Sequence, residues 1–146
     1  MGYSYYIKLE DAPADGDYIS LHMPSLPSTR GMIGKEQFAA MKPTAFFLNA
    51  ARGDVVDEPA MVEALKNGVI AGAGLDVLVE EPMPGDHPLM SMPNVTITPH
   101  MAAQTQETTA KLVTMAAEGT LAVLRGEKWP HVANPEVYNH PKWADR

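Results

Sequence analysis

Short apolar runs alternate with amphipathic stretches along most of this chain. Asp17–His22, Ala45–Asn49, Ala71–Asp76 and Val95–Thr98 each read as a short buried β-strand. Between them, Lys35–Met41 reads as a short helix and Glu58–Asn67 as a longer one. Asp57 suits the N-cap of the second helix, Pro59 lies in its first turn, where a missing N–H costs little, and Gly68 suits its C′ position. Met61, Ala64 and Leu65 form its apolar stripe. A long helix is expected from about Gln104 to Arg125, with Leu112, Met115, Ala116, Leu121 and Val123 on or near one face. At the N-terminus Tyr3, Tyr5, Ile7 and Leu9 alternate with polar neighbours, which is strand periodicity, and Asp11–Asp17 reads as a polar turn. Residues 126–146 read as an irregular tail. Strands alternating with helices predict an α/β fold with a parallel sheet and crossovers. The segment Val77–Pro93, with four prolines, is too long to be idle in a compact domain and reads as functional or poorly ordered.

Composition narrows the classes. The chain has 146 residues, 45% hydrophobic and 20% charged, enough for one domain with a real core. A formal net charge of −7 argues against nucleic acid or an anionic membrane as partner. There is no cysteine, which removes disulfides and thiol chemistry. Residues 1–6 lack the basic and apolar regions of a signal peptide, and no apolar run approaches the ~18 residues of a membrane span. A cytoplasmic location is the expectation. The five histidines show no metal-ligand spacing, so no metal is expected.

Candidate chemistry collects just after the strands, on the sheet edge where α/β proteins build their sites. Arg52 follows the second strand in a Gly-containing turn. A guanidinium there can grip a carboxylate through two parallel hydrogen bonds; a surface arginine pairing with Asp54 or Asp57 is the plainer alternative. His100 follows the fourth strand. To pass a proton to a carbonyl oxygen it needs a nearby carboxylate, which Glu80 or Glu81 can supply; a histidine capping a strand end is the alternative. Asp76 ends the third strand, and it too can simply cap the next turn. The Gly72-Ala73-Gly74 stretch is a false start for a dinucleotide fingerprint, since Val77 stands where the third glycine belongs.

Asn49-Ala-Ala-Arg-Gly-Asp-Val-Val-Asp-Glu58, Glu80-Glu-Pro82 and Thr98-Pro-His100, in this order and spacing, closely resemble the D-2-hydroxyacid dehydrogenase family, which includes phosphoglycerate dehydrogenases and glyoxylate/hydroxypyruvate reductases. The likeness runs from about Asp17 to Glu136. It implies a Rossmann-like half domain with flanking helices over 17–103, a return helix over 104–125, and a tail over 126–146 that belongs to the substrate domain in relatives; residues 1–16 are atypical. The resemblance makes Arg52 the substrate-binding arginine, His100 the proton donor and Glu81, directly before proline, its carboxylate partner, with Glu80 solvated. Asp76 would bond the nicotinamide carboxamide. His22, Met23 and Pro24 would lie along the cofactor, as would Ala50, Ala51, Arg52 and His100. The backbone at Ala102 and Ala103, where relatives often carry glycines, would also contact the cofactor. Thr29 and Arg30 fall in the family's Pro-x-Thr-Arg-Gly stretch.

NAD or NADP is the implied cofactor, and a small 2-oxo or 2-hydroxy acid the substrate. The family's Gly-rich phosphate turn would precede these segments and is not among these residues. The chain therefore reads as a fragment or truncated form that is inactive alone. The other reading is a non-catalytic remnant folding as an oligomeric interaction module. A homodimer is expected in either case, because a sheet edge left by missing strands seeks pairing.

Overall fold

The computed structural model describes residues 12–144, so the strand expected over residues 3–9 lies outside the described residues. Four parallel strands, β1 (Tyr18–Leu21), β2 (Phe46–Asn49), β3 (Gly72–Leu75) and β4 (Val95–Ile97), form one sheet in the order β1-β2-β3-β4. The chain enters through a helical turn, α1 (Ala12–Asp15), where a polar turn was expected. Helix α2 (Lys35–Ala39) connects β1 to β2, and α3 (Glu58–Lys66) connects β2 to β3.

The boundaries of α3 follow from its ends. Asp57 caps it by accepting from Ala60 N at 3.1 Å. Gly68 adopts φ +65° just beyond it, a left-handed conformation that suits glycine. Met61, Ala64 and Leu65 are buried as the stripe predicts. They join Ile33, Phe38, Phe47, Val55, Ile70 and Leu89 in a core on one side of the sheet, where Phe38 and Phe47 meet edge to face at 5.2 Å.

The strands are half-buried rather than buried. Ile19, Leu21, Phe47, Ala73 and Leu75 point into or toward the core, while their neighbours face the other way. On that second face Tyr18 is 71% exposed and stacks on Phe46 at 5.8 Å. Among the described residues of this unit the core lies on one face of the sheet, and Tyr18 and Phe46 on the other stay exposed, so runs such as Ala45–Leu48 are buried at alternate positions. Val77–Pro93 is tied down by its own 3₁₀ turn, Pro88–Ser91, whose Leu89 is fully buried.

The chain divides into two units between Ala102 and Ala103. In the second, α4 (Gln106–Leu124) starts at the N-cap Thr105, which accepts from Thr108 N at 3.1 Å. Its apolar stripe is not buried as its periodicity suggests: Leu112, Val113, Leu121 and Leu124 are exposed. Amphipathic spacing sets which side chains share a face, not whether anything covers it. The tail is more ordered than expected. Trp129 lies against Gly119, the Tyr138 hydroxyl donates to Trp129 O and accepts from Trp129 N, and a 3₁₀ turn over Pro135–Asn139 leads into α5 (Pro141–Ala144). Among the described residues no helix is long and apolar enough to cross a membrane.

Candidate active site

The parallel strands deliver their following turns to one edge of the sheet, and the functional candidates of the first unit gather there. After β2 the turn is held by Asn49, whose buried amide accepts from Ala51 N at 3.0 Å and donates to Arg52 O at 2.9 Å. This side-chain turn presents Ala50, Ala51 and Arg52 outward. The pairing considered for Arg52 does not form. Asp54 bonds Arg30 at 3.2 Å and the Ser25 hydroxyl at 2.6 Å, Asp57 caps α3, and Arg52 makes no ion pair among the described residues. Its guanidinium donates to Ala51 O at 2.6 Å and is otherwise exposed.

The loop after β3 presses on this turn. A Cβ placed on Gly53 would stand 2.0 Å from the Leu78 carbonyl oxygen, so only glycine permits the approach. That contact brings Arg52, Glu81 and His100 around one open cavity of about 340 Å³.

Glu81 and His100 are paired, with Oε2 2.7 Å from Nδ1. The other Glu81 oxygen accepts from Leu78 N at 2.9 Å. The bond from His100 and then the one from Leu78 hold the Glu81 carboxyl below its ordinary range, against partial desolvation and the nearby charge of Asp76. Glu80 is exposed. The Glu81 and His100 side chains are 37% and 52% exposed, so a small molecule can reach them.

Asp76 is buried, and its carboxylate closes the turn around His100. It accepts from Thr98 Oγ1 at 2.6 Å, Met101 N at 2.8 Å and Ala102 N at 2.8 Å. Burial pushes its pKa up, but these three bonds and the His100 charge outweigh it, and the net direction is down. Inside this turn His100 has φ +52°, a left-handed conformation that costs a non-glycine residue about 1–3 kcal/mol and persists where the surroundings over-determine it. Asp76 ties down the residues on both sides of it, Thr98 before and Met101 and Ala102 after. The strand-end cap is thus the role the geometry displays for Asp76, and three donors leave about one acceptor position on its carboxylate.

The remaining candidates line two further cavities. His22, Met23, Pro24, Ala50, Ala51 and Arg52, with Leu21, enclose about 330 Å³ between the turns after β1 and β2. A second space of about 360 Å³ lies over Ser20, Leu48, Gly74 and Thr96, neighbours in register across the four strands, and reaches Ala50, Asp76 and Ala102. Most of its floor is made of small side chains. Ala103 begins the second unit and lines neither space.

Asn49, Glu58 and Thr98 stand within the motifs quoted from the sequence without a role of their own, and His87 had none. Asn49 carried a usable signal, an asparagine at a strand end before a Gly-containing turn. Thr98 bonds a residue 22 positions away, and no local pattern announces that.

The family model described as "D-isomer specific 2-hydroxyacid dehydrogenase, NAD binding domain" matches residues 1–102. The chain belongs to this family. The glyoxylate reductase of Korarchaeum cryptofilum is 46% identical over 132 residues, covering 90% of this chain and 40% of that protein. Among solved structures, the D-lactate dehydrogenase with NAD+ from Lactobacillus jensenii superposes with a TM-score of 0.80 at 40% identity, covering 88% of this chain and 43% of that one. The NADPH-dependent glyoxylate/hydroxypyruvate reductase from Sinorhizobium meliloti, in complex with NADP and malonate, gives 0.77 at 34% identity, covering 84% and 38%. The chain spans about two fifths of the length of the curated relatives it matches. Its Rossmann-like sheet is that of the D-2-hydroxyacid dehydrogenase NAD-binding domain.

Proposed function

We propose that this chain carries the substrate-gripping and proton-transfer groups of an NAD(P)-dependent D-2-hydroxyacid dehydrogenase acting on a small 2-oxo or 2-hydroxy acid. The observation that carries this reading is the 2.7 Å His100–Glu81 pair on a cavity shared with Arg52. Glu81 engages Nδ1, which fixes the ring and leaves Nε2 for the C2 oxygen of the substrate. In the reductive direction His100 gives a proton to that oxygen, while Glu81 holds the ring in place through Nδ1. Arg52, which makes no ion pair among the described residues, binds the substrate carboxylate and places positive charge beside the carbonyl. A nicotinamide held there would supply or take up the hydride at C2. The residues present fit that group: the space over the small side chains of the sheet adjoins the turns carrying Ala50 and Ala102. These 146 residues hold no Gly-x-Gly-x-x-Gly turn to cradle a pyrophosphate, and we expect no turnover from them alone.

Fused behind the N-terminal portion of the Korarchaeum cryptofilum glyoxylate reductase that it does not match, the chain should reduce glyoxylate or hydroxypyruvate with NADH or NADPH. His100→Ala should lower kcat about 10²–10⁴-fold. Arg52→Ala should raise KM for the 2-oxo acid far more than it weakens cofactor binding measured by calorimetry. Normal turnover in the His100→Ala fusion would remove the proton-donor assignment. A folded fusion that binds cofactor but has no activity would favour the second reading, a non-catalytic oligomeric module. The open Tyr18–Phe46 face of the sheet is what supports that reading, and a homodimer of the chain in sedimentation would accompany it.

A further inference from the structure

Glu81 rides on residues 80–86, and both ends of that segment are bonded to a single carboxylate. Glu58, the first residue of α3, accepts from Val79 N at 3.1 Å through Oε2. Its Oε1 lies 3.0 Å from His87 Nε2. His87 Nδ1 accepts from Leu89 N at 3.3 Å, so the ring carries its proton on Nε2 and donates it to Glu58. Leu89 belongs to the core, which roots the far end of this chain of bonds. The His87 and Glu58 side chains are only 16% and 14% exposed, whereas Arg30 in its pair with Asp54 and Asp17 in its pair with Lys42 are 68% and 72% exposed. A partly buried carboxylate with every oxygen engaged by the same loop fixes geometry in a way an exposed ion pair does not.

We propose that Glu58 and His87 are positioning residues, which set Glu81 against His100 by holding the backbone at residue 79 and the side chain at residue 87 to one point at the start of α3. Removing the clamp frees residues 80–86 to swing, and only the bond from Leu78 N to Glu81 then restrains the carboxylate on its own side of the contact. The proposal rests on the reading of Glu81 and His100 as the proton-transfer pair. Its test reads a titration rather than turnover, so the two can fail separately.

The experiment is a ¹³C titration of the Glu81 carboxyl in the whole chain, assigned by comparison with Glu81→Gln, with the thermal midpoint recorded beside it. In His87→Leu the Glu81 carboxyl should titrate higher, toward the ordinary glutamate range, as its contact with His100 loosens. His87→Gln keeps an N–H for Glu58 and should restore the lower titration. Glu58→Gln should also move Glu81 upward. Loss of the Glu58 negative charge by itself pushes a neighbouring carboxyl downward, so an upward move reports lost geometry. A purely structural role would lower the thermal midpoint of these variants and leave the Glu81 titration where it was, and that result overturns the proposal. Should His87→Leu not fold, Glu58→Gln gives the same decision.

Discussion

Asp76 and Glu81 both engage the turn that carries His100, and both titrate below their ordinary range. The causes differ. Asp76 is buried, and its two oxygens take three donors from the turn that contains His100. Glu81 is partly exposed, and its first partner is the imidazole itself. One carboxylate shapes the backbone on which the histidine sits, and the other is aimed at its ring. The lesson is that a lowered pKa identifies a carboxylate with donors; the identity and exposure of those donors separate a buried cap of backbone and hydroxyl groups from an exposed pair with an imidazole.

That contrast can be broken most strongly at Asp76. Asp76→Ala leaves Met101 N, Ala102 N and Thr98 Oγ1 without their shared acceptor and unties the residues on both sides of His100. Urea unfolding should show a loss of about 1–3 kcal/mol, the scale for hydrogen bonds to a charged group. The structure of the variant should show His100 displaced from Glu81. A next, smaller effect is acid sensitivity. Both folded-state pKa values are depressed, so the stability each carboxylate contributes is complete above the ordinary carboxylate range and is lost as pH falls through the depressed folded values. Denaturation curves collected downward in pH should steepen in that window for the parent and flatten for Asp76→Ala. The smallest change in stability belongs to Glu81→Gln, under about 1 kcal/mol, because an exposed pair is screened by water and salt. The same substitution should alter the pH profile of the fused enzyme. If Glu81→Gln proved as destabilising as Asp76→Ala, the division between cap and partner would be wrong.

A second contrast, between α3 and α4, marks how far periodicity reaches. Both helices carry apolar positions at helical spacing and both have side-chain N-caps. α3 buries Met61, Ala64 and Leu65, whereas α4 buries only Ala122 and leaves Leu112, Val113 and Leu124 in the open. The pattern foresees the helix and its inward side, but covering that side requires another surface, which spacing does not encode.

Much of the fold was legible because it is written in local terms. Apolar runs a few residues long, Asp57 before α3 and Gly68 after it specify strands, crossovers and helix ends through propensity, capping and backbone freedom. Arg52, Glu81 and His100 could be picked out through the family resemblance of the motifs that carry them, and the fold brings all three to one cavity. Other features depend on contacts between segments far apart in sequence. Gly53 lets Leu78 approach, Asp76 gathers the turn at residues 98–102, and Glu58 bonds positions 21 and 29 residues away. No short pattern announces these, because each bond is defined by where two separate turns meet once the sheet has formed. Local chemistry along the chain established which strands, helices and reactive groups exist. Burial, the burden of hydrogen-bonding every enclosed polar group, and the register of parallel strands established which of those groups touch.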